Sequence, residues 1–170
     1  NHLRKAHQQT LLVTQQTDDN PDAWMKPGAW LARFCGELQA VLLAELGMDE
    51  DARRELAHVR REGLDALRRS LWVGSLIYLA EACSSVGDRE TAYLVYPELE
   101  PFAGTNIMIG SGVVACGSAN RYLGMLAWTL DDVDSAEAYF ASALRSNRSM
   151  GATTWLAHTC YEYARMLLSQ

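Results

Sequence analysis

The chain has 170 residues, 49 % of them apolar, and a formal net charge of −6. That composition is too apolar for a disordered chain. The acidic balance excludes broad contact with nucleic acid, which needs a basic surface. No apolar run approaches the roughly 20 residues of a membrane-spanning helix.

The opening "NHLRKAHQQT" is polar and basic, with no apolar stretch of the kind a signal peptide needs. The expected location is cytoplasmic, with no membrane contact and no direct contact with nucleic acid. The first residue is Asn1 rather than Met, and the last residues are "MLLSQ". Both ends read as cut, so the expectation is a single repeat domain over 1–170, one region of a longer chain. Residues 1–14, including "HLRKAHQQTLLV", read as the second helix of a preceding, truncated repeat, and "TDDNPDAWMKPG" as the loop after it.

From residue 28 onward the apolar residues recur at helical spacing and only four prolines interrupt the chain. The predicted fold class is therefore all-α. A self-similar pattern divides it. "GMDEDA" (47–52), "GDRETA" (87–92) and "DDVDSA" (131–136) are turns rich in Gly and Asp that end on an alanine. Leu46, Val86 and Leu130 precede them, and a small residue stands seven positions before each, at Ala40, Ala80 and Gly124. A large apolar residue follows four positions after each alanine: Leu56, Tyr96 and Phe140. Ala164 continues the series of small residues, so the steps are 40, 44 and 40 residues. A small residue on each of two helices lets them approach closely, and the Gly/Asp turn reverses the chain between them. The predicted repeats are about 28–62, 70–104, 112–147 and a truncated 150–170, an α-solenoid of antiparallel helical hairpins.

This pattern resembles the tetratricopeptide repeat. The third copy matches best, with Leu123, Gly124, Leu130, Ala136, Phe140 and Ala143 at the family's spacing. The second supplies Leu76, Leu79, Ala80, Gly87, Ala92 and Tyr96, whereas the first has Gln39 where the family has an apolar residue. The period exceeds the usual 34 residues, with the extra length placed at about 62–71 and 101–113. Residues 95–170 also resemble the C-terminal helical repeats of large bacterial regulators. Those proteins join a STAND-type ATPase to an adenylate cyclase domain, a LuxR-type helix-turn-helix, or both. The resemblance implies a sensor or scaffold region contacting other domains of the same chain, with any ATPase or cyclase activity lying elsewhere.

Residues that could carry chemistry give little. Gly112 and Gly117 stand at the interval of a phosphate-binding loop, but Ser118 occupies the lysine position and Ala119 the hydroxyl position. Residues 104–112 read instead as a connection between repeats, with Ser111 capping the next helix and small residues 115 and 117–119 packing inside it. The arginines at 53, 54, 60, 61, 68 and 69 alternate with acidic residues and read as a solvated helix face. His2, His7, His58 and His158 do not share a metal-binding spacing. Cys35, Cys83, Cys116 and Cys160 read as small core residues. The five tryptophans, at 24, 30, 72, 128 and 155, read as packing residues. No catalytic residue, metal or cofactor is expected.

Binding is expected instead on a concave face lined by the first helix of each repeat. The tetratricopeptide register places Glu37, Val41 and Ala44 there, then Ile77, Glu81 and Ser84, then Arg121, Met125 and Trp128, and finally Tyr161, Arg165 and Leu168. The candidate groove is Glu81, Arg121, Met125, Trp128, Tyr161 and Arg165. Two cations beside two aromatics suit a protein segment or a small anionic ligand, while the alternative is that Arg121 pairs with Glu81. The expected function is a non-catalytic interaction or ligand-sensing module of a larger signalling or transcriptional regulator. The runner-up is a structural spacer between ATPase or cyclase and output domains, ahead of a small helical enzyme. The apolar side of 155–168 offers a surface on which a second copy of the chain could form a homodimer.

Overall fold

The computed structural model describes residues 29–67, 72–109 and 114–169. The expected helix over 1–14, the loop after it, and Gly110, Ser111 and Gly112 lie outside them. The described residues are mostly helical. In chain order they form α1 (Ala29–Glu45), α2 (Asp49–Glu62), α3 (Trp72–Val86), α4 (Arg89–Leu99), α5 (Ala119–Thr129), α6 (Val133–Ser149) and α7 (Thr153–Leu168). Single 3-10 turns follow α2 and α4, at Leu64–Leu67 and Glu100–Phe102. No described helix is long and apolar enough to cross a membrane.

Four tight turns join helices to their successors, and all close in the same way. Met48 N donates to Leu43 O, Asp88 N to Cys83 O, Asp132 N to Ala127 O and Ala152 N to Asn147 O, at 2.8–2.9 Å. Each bond reaches five residues back, which requires a left-handed residue just past the helix end. Gly47, Gly87 and Gly151 fill that place, and in the third turn Asp131 does so at φ 65°. Aspartate is among the few side chains that tolerate this conformation. Asp88 and Asp132 then cap the following helices, accepting from Thr91 N at 3.2 Å and Ser135 N at 3.1 Å.

The small residues of the sequence pattern sit at the contacts between paired helices. Ala40, Ala52, Ala80, Ala92 and Ala136 are fully buried. A Cβ added at Gly124 would lie 3.0 Å from the ring of Phe140, so that ring of α6 rests directly on the α5 backbone there. One apolar core runs through the described residues from Ala40 to Met166. Trp72, Trp128 and Trp155 pack against its edge, as expected of packing residues. Trp24 lies outside the described residues. Cys83 and Cys116 are buried as expected, but Cys160 is exposed on α7.

Two expectations need correction. First, the chain is not purely helical. Residues expected to form a plain connection and the start of a helix form a two-stranded antiparallel sheet, β1 (Asn106–Ile109) with β2 (Val114–Ser118). Helix α5 starts at Ala119, and Ser118 caps it by accepting from Asn120 N at 3.3 Å. Ile107 and Ile109 alternate with exposed Asn106 and Met108, and Ile109 packs on Gly74 of α3. The pairing slips by one residue between Asn106↔Ser118 and Met108↔Ala115, a bulge that leaves one extra residue on β2.

Second, the arginines of α2 are not simply a solvated face. Arg54 does pair with Asp51 one turn away. Arg53, however, donates to Val86 O at 2.5 Å, satisfying a carbonyl at the end of α3. Arg60 pairs with Asp88 and donates to Thr91 Oγ1 at 2.8 Å. Arg89 repeats the theme one pair further on, with Asp131 and with Leu130 O at 3.1 Å. These guanidiniums join each helix pair to the turn of the next, an arrangement that sequence spacing within one helix cannot reveal.

Candidate functional site

First helices α1, α3 and α5 lie side by side. Ser84 of α3 donates to Met125 O of α5 at 2.9 Å and shares a hydrogen bond with Thr129 Oγ1 at 2.7 Å. Helix α7 sits differently, because β2 touches α5, α6 and α7 together. Trp155 of α7 rests on Gly117, where an added Cβ would fall 2.7 Å from its Cγ. Buried Asn147 ties the same junction together. Its Oδ1 accepts from Ser118 N at 3.2 Å, and its Nδ2 donates to Trp155 O at 3.3 Å and Thr159 Oγ1 at 3.1 Å. Tyr122 OH donates to Cys116 O at 3.0 Å, and Asn120 bridges Gly104 N and Ser142 Oγ at 2.8 Å each.

A groove of about 670 Å³ opens across the four first helices. Val41 and Glu45 come from α1, Glu81 and Ser85 from α3, and Arg121 and Met125 from α5. The far wall is α7, with Thr154, Ala157, His158, Tyr161 and Glu162.

Of the six candidate residues, Glu81, Arg121, Met125 and Tyr161 line this groove, and Val41 joins them from the wider register. Trp128 and Arg165 stand beside it. The Arg165 guanidinium lies 5.4 Å from the Trp128 ring centroid and 5.8 Å from that of Tyr161. Glu37, Ile77 and Ser84 are buried rather than open to the groove, and Leu168 is almost fully exposed. Glu45, Ser85, Ala157, His158 and Glu162 were not in the register. They stand one helical turn or less from Val41, Glu81 and Tyr161, on the same side of each helix, and that spacing is the signal that could have found them.

The two arginines are engaged. Arg121 is only 3 % exposed and pairs with Glu81 of the neighbouring first helix. Its guanidinium lies 4.2 Å from the Tyr122 ring centroid and 5.5 Å from that of Trp155. Arg165 pairs with Glu162 at 2.9 Å. Burial raises the Glu162 carboxyl above the ordinary glutamate value, and Arg165 and Arg121 only partly offset it. Glu45 stands exposed at the rim. Of the three carboxylates in the lining, Glu81 is paired with Arg121 and Glu162 with Arg165, which leaves the exposed Glu45 to set the charge of the groove.

Among the described residues no cluster of His, Cys, Asp and Glu has the arrangement of a metal site. Residues 1–70 match a family described as a protein of unknown function, DUF3348. That stretch is similar to the family over less than half of the chain, and of the groove it includes only Val41 and Glu45. No curated protein and no solved structure matches the chain.

Proposed function

We propose that this chain is a non-catalytic binding module, a tetratricopeptide-like solenoid of antiparallel helical hairpins that holds a protein segment in the groove of its first helices. The observation that carries the reading is the groove itself, built from one face of α1, α3, α5 and α7. The recurring turns and the steps of 40 and 44 residues support the solenoid. The resemblance of residues 95–170 to the helical repeats of STAND ATPase regulators supports a place in a larger bacterial signalling or transcriptional regulator. The groove's chemistry selects the segment. With both arginines paired to Glu81 and Glu162, the exposed Glu45 favours a segment that presents a basic side chain between apolar ones. A small anion would first have to break the Arg121–Glu81 pair.

Fluorescence-detected titration with heptalysine and heptaglutamate peptides tests this. Heptalysine is expected to bind with an affinity that falls as salt rises, and Glu45→Gln is expected to weaken it several-fold without changing the melting temperature. Binding of heptaglutamate in its place would reverse the assignment to an anionic ligand. Binding of neither peptide would favour the structural spacer.

A further inference from the structure

Between α5 and α7 the groove wall already holds a cation. The Arg165 guanidinium lies 5.4 Å from the Trp128 ring centroid and 5.8 Å from that of Tyr161, both within cation–π range. Its Nη1 donates to Glu162 Oε2 at 2.9 Å. One ring from α5, one from α7 and a buried carboxylate thus converge on a single guanidinium. Trp128 packs against the core, and Glu162 is only 8 % exposed, so these two are positioned by the fold rather than by Arg165.

Arg165 fills this place incompletely. It stands on the same helix as Glu162, three residues on, and reaches the carboxylate with one hydrogen bond. Among the described residues that is the one bond the carboxylate accepts, although a carboxylate has room for about four. Burial raises the Glu162 carboxyl, and Arg165 and Arg121 only partly offset it, as expected of a carboxylate short of donors. The Arg165 side chain is 34 % exposed, and an (i, i+3) pair so open to water is weak. Arg121 differs, being 3 % exposed and stacked on Tyr122 and Trp155. Glu162 and Tyr161 both line the groove, so a ligand side chain can reach them. A guanidinium arriving from the groove is free of the α7 backbone and can lay two N–H groups on the carboxylate side by side. The exchange replaces one cation by another and leaves the charge of the wall unchanged. The planar, weakly hydrated guanidinium also stacks on the two rings better than an ammonium does.

We infer that Glu162, Trp128 and Tyr161 form a subsite for an arginine side chain of the segment held in the groove, and that Arg165 occupies it until that arginine displaces it. The inference rests on the groove reading and adds a second basic side chain to the one that Glu45 selects. Arg165 is tethered beside the subsite, so only an arginine carried by a longer segment, held elsewhere along the groove, competes with it.

Titration of the whole chain with heptaarginine and with heptalysine, at about pH 8 to keep a raised carboxyl ionised, tests it. Arg165→Ala is expected to bind heptaarginine about tenfold more tightly than the parent, because the ion pair and ring contacts no longer have to be broken. The gain for heptalysine is expected to be clearly smaller. Adding Glu162→Gln to Arg165→Ala is expected to remove the gain. Arg165→Gln, which loses the charge and keeps most of the stem, gives the same comparison if the alanine variant fails to fold. A folded variant with no gain for heptaarginine would overturn the inference. So would an equal gain for both peptides, the effect of deleting any nearby cation, or a gain that outlasts Glu162→Gln. If the parent binds heptalysine and no such gain is seen, the subsite fails and the groove reading stands. If parent and variants bind neither peptide, both fall.

Discussion

Gly117 supports Trp155 with its bare backbone: the space a side chain would need is filled by the indole, whose Cβ lies 2.8 Å from where a Cβ would be. Two constraints coincide, because Gly117 also has φ 75° at the bulge of β2. Gly117→Ala is expected to cost the left-handed backbone about 1 kcal/mol and the overpacking about 1–3 kcal/mol more. Urea denaturation measures the loss. Trp155→Leu in the same chain should recover part of the packing cost and none of the backbone cost.

Gln39 is the one departure in the first copy of the pattern, and it is paid for in the core. It is 3 % exposed and its Oε1 has no hydrogen-bond partner. The matching positions, Leu79 and Leu123, are fully buried. Gln39→Leu removes an orphaned acceptor and adds apolar burial, so it is expected to stabilise the fold by about 1–2 kcal/mol. A rise in the denaturation midpoint at unchanged slope is the expected readout.

Arg121 and Glu81 are unequal partners. The arginine is 3 % exposed at its side chain and the glutamate 26 %. Removing the glutamate strands a buried cation, whereas removing the cation leaves a carboxylate that can reach water. Glu81→Ala is therefore expected to cost about 2–3 kcal/mol, discounted from a fully buried pair for solvent screening. Arg121→Met, which keeps the stem packed on Tyr122 and Trp155, should cost less. Parallel thermal melts of the two variants decide the order.

Glu162 gives the protein a pH dependence of definite sign. Burial raises its carboxyl, so the folded state keeps the proton to a higher pH than the unfolded chain does. Upward from the ordinary value of 4.5, the folded state holds more protons than the unfolded state, and stability falls as pH rises. Glu162→Gln cannot titrate there. Its stability profile is expected to be flatter across that window than the parent's, measured by chemical denaturation at stepped pH.

Three of the four turns were legible because each is written locally, by Gly47, Gly87 or Asp131 in the left-handed position and, at the second and third, by an aspartate cap three residues before its amide partner. The groove was legible in part for a related reason: Val41 and Glu81 stand one residue after the small residue of their repeats and Arg121 and Tyr161 three before it, so the repeat register holds all four. The sheet was not. Ile107 and Ile109 offer only a single alternation, and the small residues at 115–119 read equally well as the start of a close-packed helix. What decides between them is Gly74 beneath Ile109 and Trp155 above Gly117, contacts made across more than thirty residues. The Arg121–Glu81 pair was legible, because the register sets both on neighbouring first helices, whereas the same distance hid the stacking of the Arg121 guanidinium on Trp155.

The seat of Trp155 on Gly117 also separates two properties that most binding clefts confound. The spacing between the entrances of α5 and α7 is gauged by main chain, held by the buried amide of Asn147. Val41 and Tyr161 face the cleft without contributing to that gauge. Substitution at those two positions can therefore retune what is recognised while the aperture keeps its width, so preference and architecture can drift independently.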